Sequence, residues 1–152
     1  MRRVVFALEM NMSDKPLILV LCTGNSARSQ MAEAFLRKYK FDSYTAASAG
    51  TQPKPEVNPL AVRAMSEIGI DISAQRPKDV REFLAKESVR HVLIVCDNAN
   101  QSCPRIWPGT CSRTFMPFDD PAAATGSEAD KLEVFRRVRD EISNAIQIWN
   151  PE

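Results

Sequence analysis

A cysteine and an arginine six residues apart enclose a stretch of small residues, and this spacing predicts an anion-binding site. The segment Cys22–Arg28, here called the oxyanion loop, follows the apolar run Leu17–Leu21 and precedes a helical pattern. Backbone N–H groups of such a loop, at a helix N-terminus, can converge on one tetrahedral oxyanion. The Arg28 guanidinium can add a bidentate clamp on two of its oxygens. The predicted oxyanion-binding residues are Thr23, Gly24, Asn25, Ser26, Ala27 and Arg28.

The field that holds the anion can also activate Cys22 as a nucleophile. An ordinary thiol has a pKa of about 8.5, and helix N-termini and cations commonly lower it to about 3.5–7.5. We therefore predict a lowered pKa for Cys22 and attack of its thiolate on the bound anion. Ser29 can lower that pKa further by donating a hydrogen bond to the thiolate. The alternative is a core cysteine at a strand end, and a pH titration of thiol alkylation separates the two.

Strand and helix patterns alternate along the chain and position this loop. The run Leu17–Leu21 is short and β-prone, and apolar residues at helical spacing follow it from Met31 to Tyr39. The other predicted strands are 44–49, 91–95 and 112–116, and the other predicted helices begin at Pro59, Asp79 and Ser127. Asn58 is the expected cap of the helix from Pro59, whose buried stripe extends to Ile68 and whose expected stop is Gly69. The helix from Ser127 presents an apolar stripe that includes Phe135. Four alternations predict a single doubly wound α/β domain, with a four-stranded parallel sheet flanked by helices.

The sheet predicted in this way brings distant reactive groups to one edge. Ligands of such sheets bind beyond the carboxyl ends of the strands. Cys22 and Cys96 each stand at the carboxyl end of a predicted strand, and Asp120 follows the last strand. We therefore expect these three side chains to face one crevice.

Composition limits the classes of function. A chain of 152 residues with a net charge of +1 predicts one globular domain and offers no basis for nucleic-acid binding. No apolar run approaches the ~20 residues of a membrane span. Four cysteines without a secretory signal indicate the reducing cytoplasm. Residues 1–15 are predicted to be an N-terminal extension and residues 16–152 the domain. The single histidine, His91, opens an apolar strand and is expected to pack there.

Several segments together resemble the low-molecular-weight protein tyrosine phosphatase fold, and within it the thioredoxin-coupled arsenate reductases. The matching segments are 22–33, 48–50, 57–59, 69–73, 118–122 and 137–142. The resemblance covers roughly residues 16–149. It implies a low-molecular-weight phosphatase-like fold, reduction of arsenate to arsenite and thioredoxin as the reductant. A cytoplasmic monomer without a tightly bound cofactor is expected.

The resemblance also implies roles for two further cysteines. Cys96 at a strand end, with Cys103 seven positions later in a polar loop, matches the family's redox pair in placement and spacing. A thiol that attacks arsenic-bound Cys22 can release arsenite and leave a Cys22–Cys96 disulfide, which Cys103 then converts to Cys96–Cys103. Cys111 has no counterpart and is taken as incidental. No Cys-x-x-Cys pair is present, so we expect no metal site.

Asp120 is the aspartate that the resemblance identifies as the general acid, because it directly precedes Pro121. Loss of an oxygen leaving group needs a proton donor, and Asp119 is the weaker candidate for that role. Some relatives bind a potassium ion near the loop, and the matching polar residues here are Asn25, Glu33 and Ser48. The family's further acidic ligand falls at Lys78, which argues against a cation there.

Two other functions compete with arsenate reduction. A low-molecular-weight phosphatase would need only Cys22, Arg28 and an acid, and would hydrolyse a thiophosphoryl intermediate with water. Relatives with that activity carry an aromatic residue after Asp-Pro, where this chain has Ala122. An oxyanion-binding module would bind phosphate or arsenate and turn over neither. Substituting Cys96 separates the reductase from the phosphatase.

Overall fold

A parallel sheet of four strands forms the centre of the molecule. The computed structural model describes residues 15–84, 89–97 and 111–151. The strands are β1 (Leu17–Cys22), β2 (Thr45–Gly50), β3 (Val89–Ile94) and β4 (Ser112–Phe115). Their order across the sheet is β2-β1-β3-β4, and every pairing is parallel. The predicted doubly wound α/β sheet is therefore confirmed.

Four helices connect or cover these strands within the described residues: α1 (Arg28–Tyr39), α2 (Pro59–Ser66), α3 (Arg81–Leu84) and α4 (Glu128–Ile148). A 3-10 turn spans Pro121–Ala123. Asn58 caps α2 by accepting a hydrogen bond from the Leu60 N–H, as the Asn-Pro signal indicates. Ser127 and Asp130 form a capping box at the start of α4. None of the described helices has the length and apolar character needed to cross a membrane.

The core forms because β1 is central and helices cover it. Residues Ile18–Leu21 are fully buried, as expected for a parallel strand with both faces covered. Phe35 of α1 and Phe135 of α4 are among the largest fully buried side chains, and these two helices pack against each other. The apolar stripes predicted for both helices therefore supply the core beside the sheet.

The end of α2 departs from the prediction. Ile68 was expected on the buried stripe of that helix, but it is exposed because the helix ends at Ser66. The predicted stop at Gly69 is confirmed: this glycine has a φ of +83°, which favours a residue without a side chain. The Ile70 N–H then donates to the Met65 carbonyl at 3.0 Å, which closes the turn.

His91 packs into the structure, as predicted. Its ring lies edge-on to Trp149 with centroids 5.0 Å apart, and its Nε2 is 3.0 Å from Thr114 Oγ1. Burial lowers the pKa of His91. The predicted extension, residues 1–15, lies outside the described residues except for Lys15, and the division into extension and domain stays a prediction. Residues 85–88 of the helix predicted from Asp79 also lie outside them.

Candidate active site

The carbonyl groups of residues 22–27 in the oxyanion loop all accept hydrogen bonds. Those of Cys22, Thr23 and Gly24 accept from the N–H groups of residues 51, 52 and 54 at 3.2, 2.9 and 2.9 Å. Those of residues 26 and 27 accept from the N–H groups of residues 58 and 31 at 2.8 and 2.9 Å. The Asn25 carbonyl accepts from Gln30 Nε2 at 2.9 Å. With the carbonyls engaged on one side, the loop has its N–H groups available on the other.

The N-terminus of α1 adds to this positive environment. Ala27 is the N-cap residue, and no side chain caps the helix. The first turn also contains no acidic residue that would offset the helix dipole. The first N–H groups of α1 are therefore left for an anion at the loop. Binding of an oxyanion by these groups stays a prediction.

A cavity of about 580 Å³ opens beside the loop. All residues of Cys22–Arg28 line it, and the other lining residues are Gln52, Lys54, Cys96, Asp97, Pro117, Phe118, Asp119, Asp120 and Ala122. The crevice predicted at the carboxyl ends of the strands thus contains Cys22, Cys96 and Asp120 together.

Arg28 is fixed at this cavity by the segment that follows β4. Its Nη1 donates to the Phe118 carbonyl at 3.1 Å, and its Nη2 lies 3.7 Å from Asp120 Oδ2. The Asp120 carboxyl group also accepts from the Ala122 N–H at 3.0 Å, while 47% of its side chain stays exposed. The guanidinium thus lies at the cavity that the loop also lines, beside a carboxyl group that solvent can reach.

Neighbouring parallel strands bring Cys22 and Cys96 into contact. Cys22 ends β1, and Cys96 lies two residues beyond β3, which pairs with β1. Both side chains are buried, neither is in a disulfide, and the two thiols share a hydrogen bond. Thr23 Oγ1 lies 3.4 Å from Cys96 Sγ. A second thiol therefore stands directly beside the predicted nucleophile.

This contact reverses the expected direction of the Cys22 pKa. The hydrogen bond with Cys96 and burial raise the pKa of the Cys22 thiol well above its ordinary value. The charge of Arg28 and the Thr23 N–H lower it, but by less. The predicted lowering is therefore wrong for the arrangement in which the two thiols touch. The groups expected to lower the pKa are nonetheless present at the thiol.

Removing the Cys96 thiol should shift the Cys22 titration to lower pH. In Cys96→Ala the largest contribution that raises the pKa is lost, while Arg28 and the Thr23 N–H remain. We expect the rate of Cys22 carboxymethylation to begin its rise with pH at a lower pH in this variant than in the parent. Mass spectrometry of the Cys22 peptide measures this rate. The same titration of Cys111→Ala, at a cysteine outside the cavity lining, should follow the parent. Coincident curves for Cys96→Ala and the parent would contradict the assigned cause.

Asn25 holds the loop in an unusual backbone conformation. Its φ is +50°, a value few residues other than glycine adopt, and its side chain is completely buried. Its Nδ2 donates to Ser29 Oγ at 2.8 Å and Ser48 Oγ at 2.9 Å, and its Oδ1 accepts from the Lys78 N–H at 2.8 Å. Gly50 lies so close that a Cβ there would be 2.5 Å from the Thr23 carbonyl oxygen. Donation from Ser29 to Cys22 stays a prediction.

The polar residues near Asn25 do not fit a potassium ion. Glu33 accepts from Ser48 Oγ at 2.6 Å and lies 2.5 Å from Arg37 Nη2. Lys78 Nζ lies 3.7 Å from the same carboxylate. Two cationic side chains thus already neutralise the buried Glu33, and Asn25 has its oxygen occupied by a backbone N–H. Within the described ranges, no group of three or more His, Cys, Asp or Glu could hold a metal ion.

Two residues that line the cavity, Lys54 and Asp97, were not predicted from the sequence. Lys54 lines the cavity, with its Cγ and Cε 3.2 Å from where a Cβ on Gly24 would stand. Asp97 also lines the cavity. In the sequence, the only feature that pointed to Lys54 as a lining residue was its place in a polar loop that precedes a helix.

Cys103 lies outside the described residues, so its place in the relay stays a prediction. Cys111 is partly buried and is not among the residues lining the cavity.

An oxyanion cradle with a cysteine at its start and an arginine at its end, on a doubly wound sheet, defines a class of proteins that bind tetrahedral anions and attack them through sulfur. Residues 17–151 match the family described as low molecular weight phosphotyrosine protein phosphatase, and the chain belongs to this family.

Curated relatives and solved structures agree with this assignment. An arsenate reductase of Halalkalibacterium halodurans is 47% identical over 137 residues, covering 90% of this chain and 96% of the relative. An arsenate reductase of Bacillus subtilis is 42% identical over 88% of this chain and 94% of the relative. A solved structure described as an arsenate reductase in the phosphate binding state has a TM-score of 0.71 and 29% identity. It covers 87% of this chain and 94% of that structure's chain.

Proposed function

We propose that this protein is an arsenate reductase that uses Cys22, Cys96 and Cys103 in sequence. The observation that carries the proposal is that Cys22 and Cys96, both buried and both at the ends of neighbouring strands, line one cavity with the oxyanion loop. A phosphatase needs one cysteine there, whereas a reductase needs a second thiol within reach of the first. The similarity to named arsenate reductases over nearly the whole chain supports the same function.

In the first step the Cys22 thiolate attacks arsenate held by the loop N–H groups and Arg28. Before this step the proton of Cys22 must leave, and withdrawal of the Cys96 thiol removes the main group that keeps it bound. A sulfur–arsenic bond forms and an arsenic–oxygen bond breaks. Asp120, at the rim beside Arg28, is placed to give the departing oxygen a proton so that it leaves as water.

In the second step Cys96 attacks the sulfur of Cys22. A Cys22–Cys96 disulfide forms, the sulfur–arsenic bond breaks, and its electron pair stays on arsenic. Arsenic(V) is thereby reduced to arsenic(III) and leaves as arsenite, while two thiols are oxidised. Thr23 Oγ1, 3.4 Å from Cys96 Sγ, is placed to donate to the Cys96 thiolate before it attacks.

In the third step Cys103 attacks Cys96, which frees Cys22 and leaves a Cys96–Cys103 disulfide. An external dithiol then reduces this disulfide by two exchanges. We propose thioredoxin as that dithiol and the cytoplasm as the location, because the cycle needs a compartment that keeps thiols reduced. NADPH consumption with thioredoxin, thioredoxin reductase and arsenate tests the function directly. Absence of arsenate-dependent consumption, with the anion still bound, would overturn it.

Phosphate-ester hydrolysis is a second candidate function. Cys22, Arg28 and Asp120 line one cavity, and these three groups suffice to form a thiophosphoryl intermediate and hydrolyse it. The description of the family points the same way. A p-nitrophenyl phosphate assay beside the arsenate assay measures which activity dominates, and we expect hydrolysis to be the slower of the two.

Asp120→Asn should slow turnover without disturbing the segment that carries it. The Asn side chain can still accept from the Ala122 N–H, but it has no proton to give the leaving oxygen. We expect kcat with arsenate to fall about 100-fold, within the range of general acid catalysis. Asp119→Asn is the matched control, because Asp119 lies 3.4 Å from Arg137 instead of Arg28. An unchanged kcat in Asp120→Asn would exclude this residue as the acid.

A further inference from the structure

We propose that Gln30 is a positioning residue that sets the anion affinity of the oxyanion loop by holding the Asn25 carbonyl away from the cavity. The inference rests on the proposed function only in taking the cavity as the oxyanion site. Of the six carbonyls of residues 22–27, five accept from backbone N–H groups, which side-chain substitutions do not remove. The Asn25 carbonyl instead accepts from the side chain of Gln30 at 2.9 Å.

The orientation of the Asn25 carbonyl also determines where the next N–H group points, because the two belong to one peptide plane. The positive φ of Asn25 marks the point where the chain turns to present its next N–H group, that of Ser26. Rotation of the peptide between Asn25 and Ser26 would withdraw that N–H and turn a carbonyl oxygen toward the anion. A carbonyl dipole repels an anion, so a loop in the rotated state would bind oxyanions weakly. The hydrogen bond from Gln30 opposes this rotation.

Gln30 is itself held rigidly. Its side chain is completely buried, and its Nε2 donates a second hydrogen bond to the Arg76 carbonyl at 3.0 Å. Its Oε1 accepts from Gln75 Nε2 at 2.7 Å. Each polar atom of the amide is therefore bonded, and the amide cannot exchange its donor and acceptor ends without losing these bonds. The segment 75–76 thus supports the anion site without lining the cavity.

Phosphate binding to three glutamine variants tests this role. Gln30→Met keeps the side-chain length but removes the donor, and we expect its Kd for inorganic phosphate, measured by calorimetry, to rise about tenfold. Gln75→Met leaves Gln30 in place but removes the bonds from Gln75 to it, together with an exposed bond to Arg37, and its Kd should rise about threefold. Gln147→Met, at an exposed position of α4, is the matched control and should bind phosphate like the parent. In NMR spectra, the phosphate-induced shift of the Ser26 amide should shrink in Gln30→Met at equal saturation.

Gln30→Glu supplies a readout that a purely structural role would not change. A neutral carboxyl group can donate to the Asn25 carbonyl, whereas a carboxylate repels it. The ratio of the variant's phosphate Kd to the parent's should therefore grow as pH rises. If Gln30→Met does not fold, this profile and Gln75→Met still decide the question. Parent-like phosphate binding in Gln30→Met, or a ratio independent of pH, would overturn the inference. Lost arsenate turnover with this phosphate pattern intact would instead overturn the proposed function alone.

Discussion

Cys96→Ser should abolish arsenate reduction while leaving phosphate-ester hydrolysis in place. Serine keeps the size of the side chain but is a poor nucleophile toward sulfur. No disulfide can then form with Cys22, so the sulfur–arsenic bond does not break with its electron pair left on arsenic. We expect thioredoxin-coupled NADPH consumption with arsenate to fall about 1000-fold or more. Hydrolysis of p-nitrophenyl phosphate, which uses Cys22, Arg28 and Asp120, should stay within about threefold of the parent.

Cys111→Ser is the control for the general effect of losing a thiol. Cys111 does not line the cavity, and this variant should retain both activities. Equal loss of both activities in Cys96→Ser would indicate a structural role for Cys96 in place of electron transfer. Retention of multiple arsenate turnovers would remove Cys96 from the relay altogether.

Arg28→Lys should reduce both activities, because a single ammonium cannot replace a guanidinium here. Lysine keeps the charge but loses the planar fork that clamps two oxygens, and it cannot also hold the Phe118 carbonyl at 3.1 Å. We expect kcat/KM for arsenate to fall about 100-fold to 1000-fold, the cost typical of a lost oxyanion donor. Steady-state kinetics with arsenate and with p-nitrophenyl phosphate measure the two losses.

Arg113→Lys on exposed β4 makes the same chemical change outside the cavity and should leave both rates unaltered. A parental kcat/KM in Arg28→Lys would mean that charge alone suffices and that the bidentate clamp is unnecessary. Loss of arsenate reduction with full ester hydrolysis would assign Arg28 to the relay instead of to anion binding.

Local sequence patterns were enough to predict the fold, because the residues that bound each strand or start each helix stand next to it in the sequence. The run Leu17–Leu21 is bounded by Pro16 and Gly24 and became β1, and Asn58-Pro59 starts α2 where a cap and a first-turn proline should. Ile68 was assigned wrongly because helical spacing continues past Ser66, whereas the turn at Gly69 ends the helix earlier. Periodicity indicates which residues would be buried in a helix, but not where the helix stops.

The chemistry of the site was harder to predict because it depends on contacts between distant segments. The predicted strand ends placed Cys22 and Cys96 in one crevice. They did not indicate the hydrogen bond with Cys96 that raises the pKa of Cys22 instead of lowering it. Gln30 belongs to an ordinary helical pattern, and its importance depends on residues 75 and 76 passing beside it. Such pairings follow from the path of the chain in space, and one sequence alone does not reveal that path.

The main-chain bonds from residues 51–54 to the oxyanion loop separate the support of the loop from the side chains that line the cavity. Thr51, Gln52 and Lys54 hold the loop through their N–H groups, so replacing their side chains leaves these bonds in place. Gln52 and Lys54 nevertheless line the cavity. Engineering could therefore alter ligand preference at these positions while the reactive geometry underneath stays constant, which makes this short segment a natural place to retune the enzyme toward other oxyanions or bulkier esters.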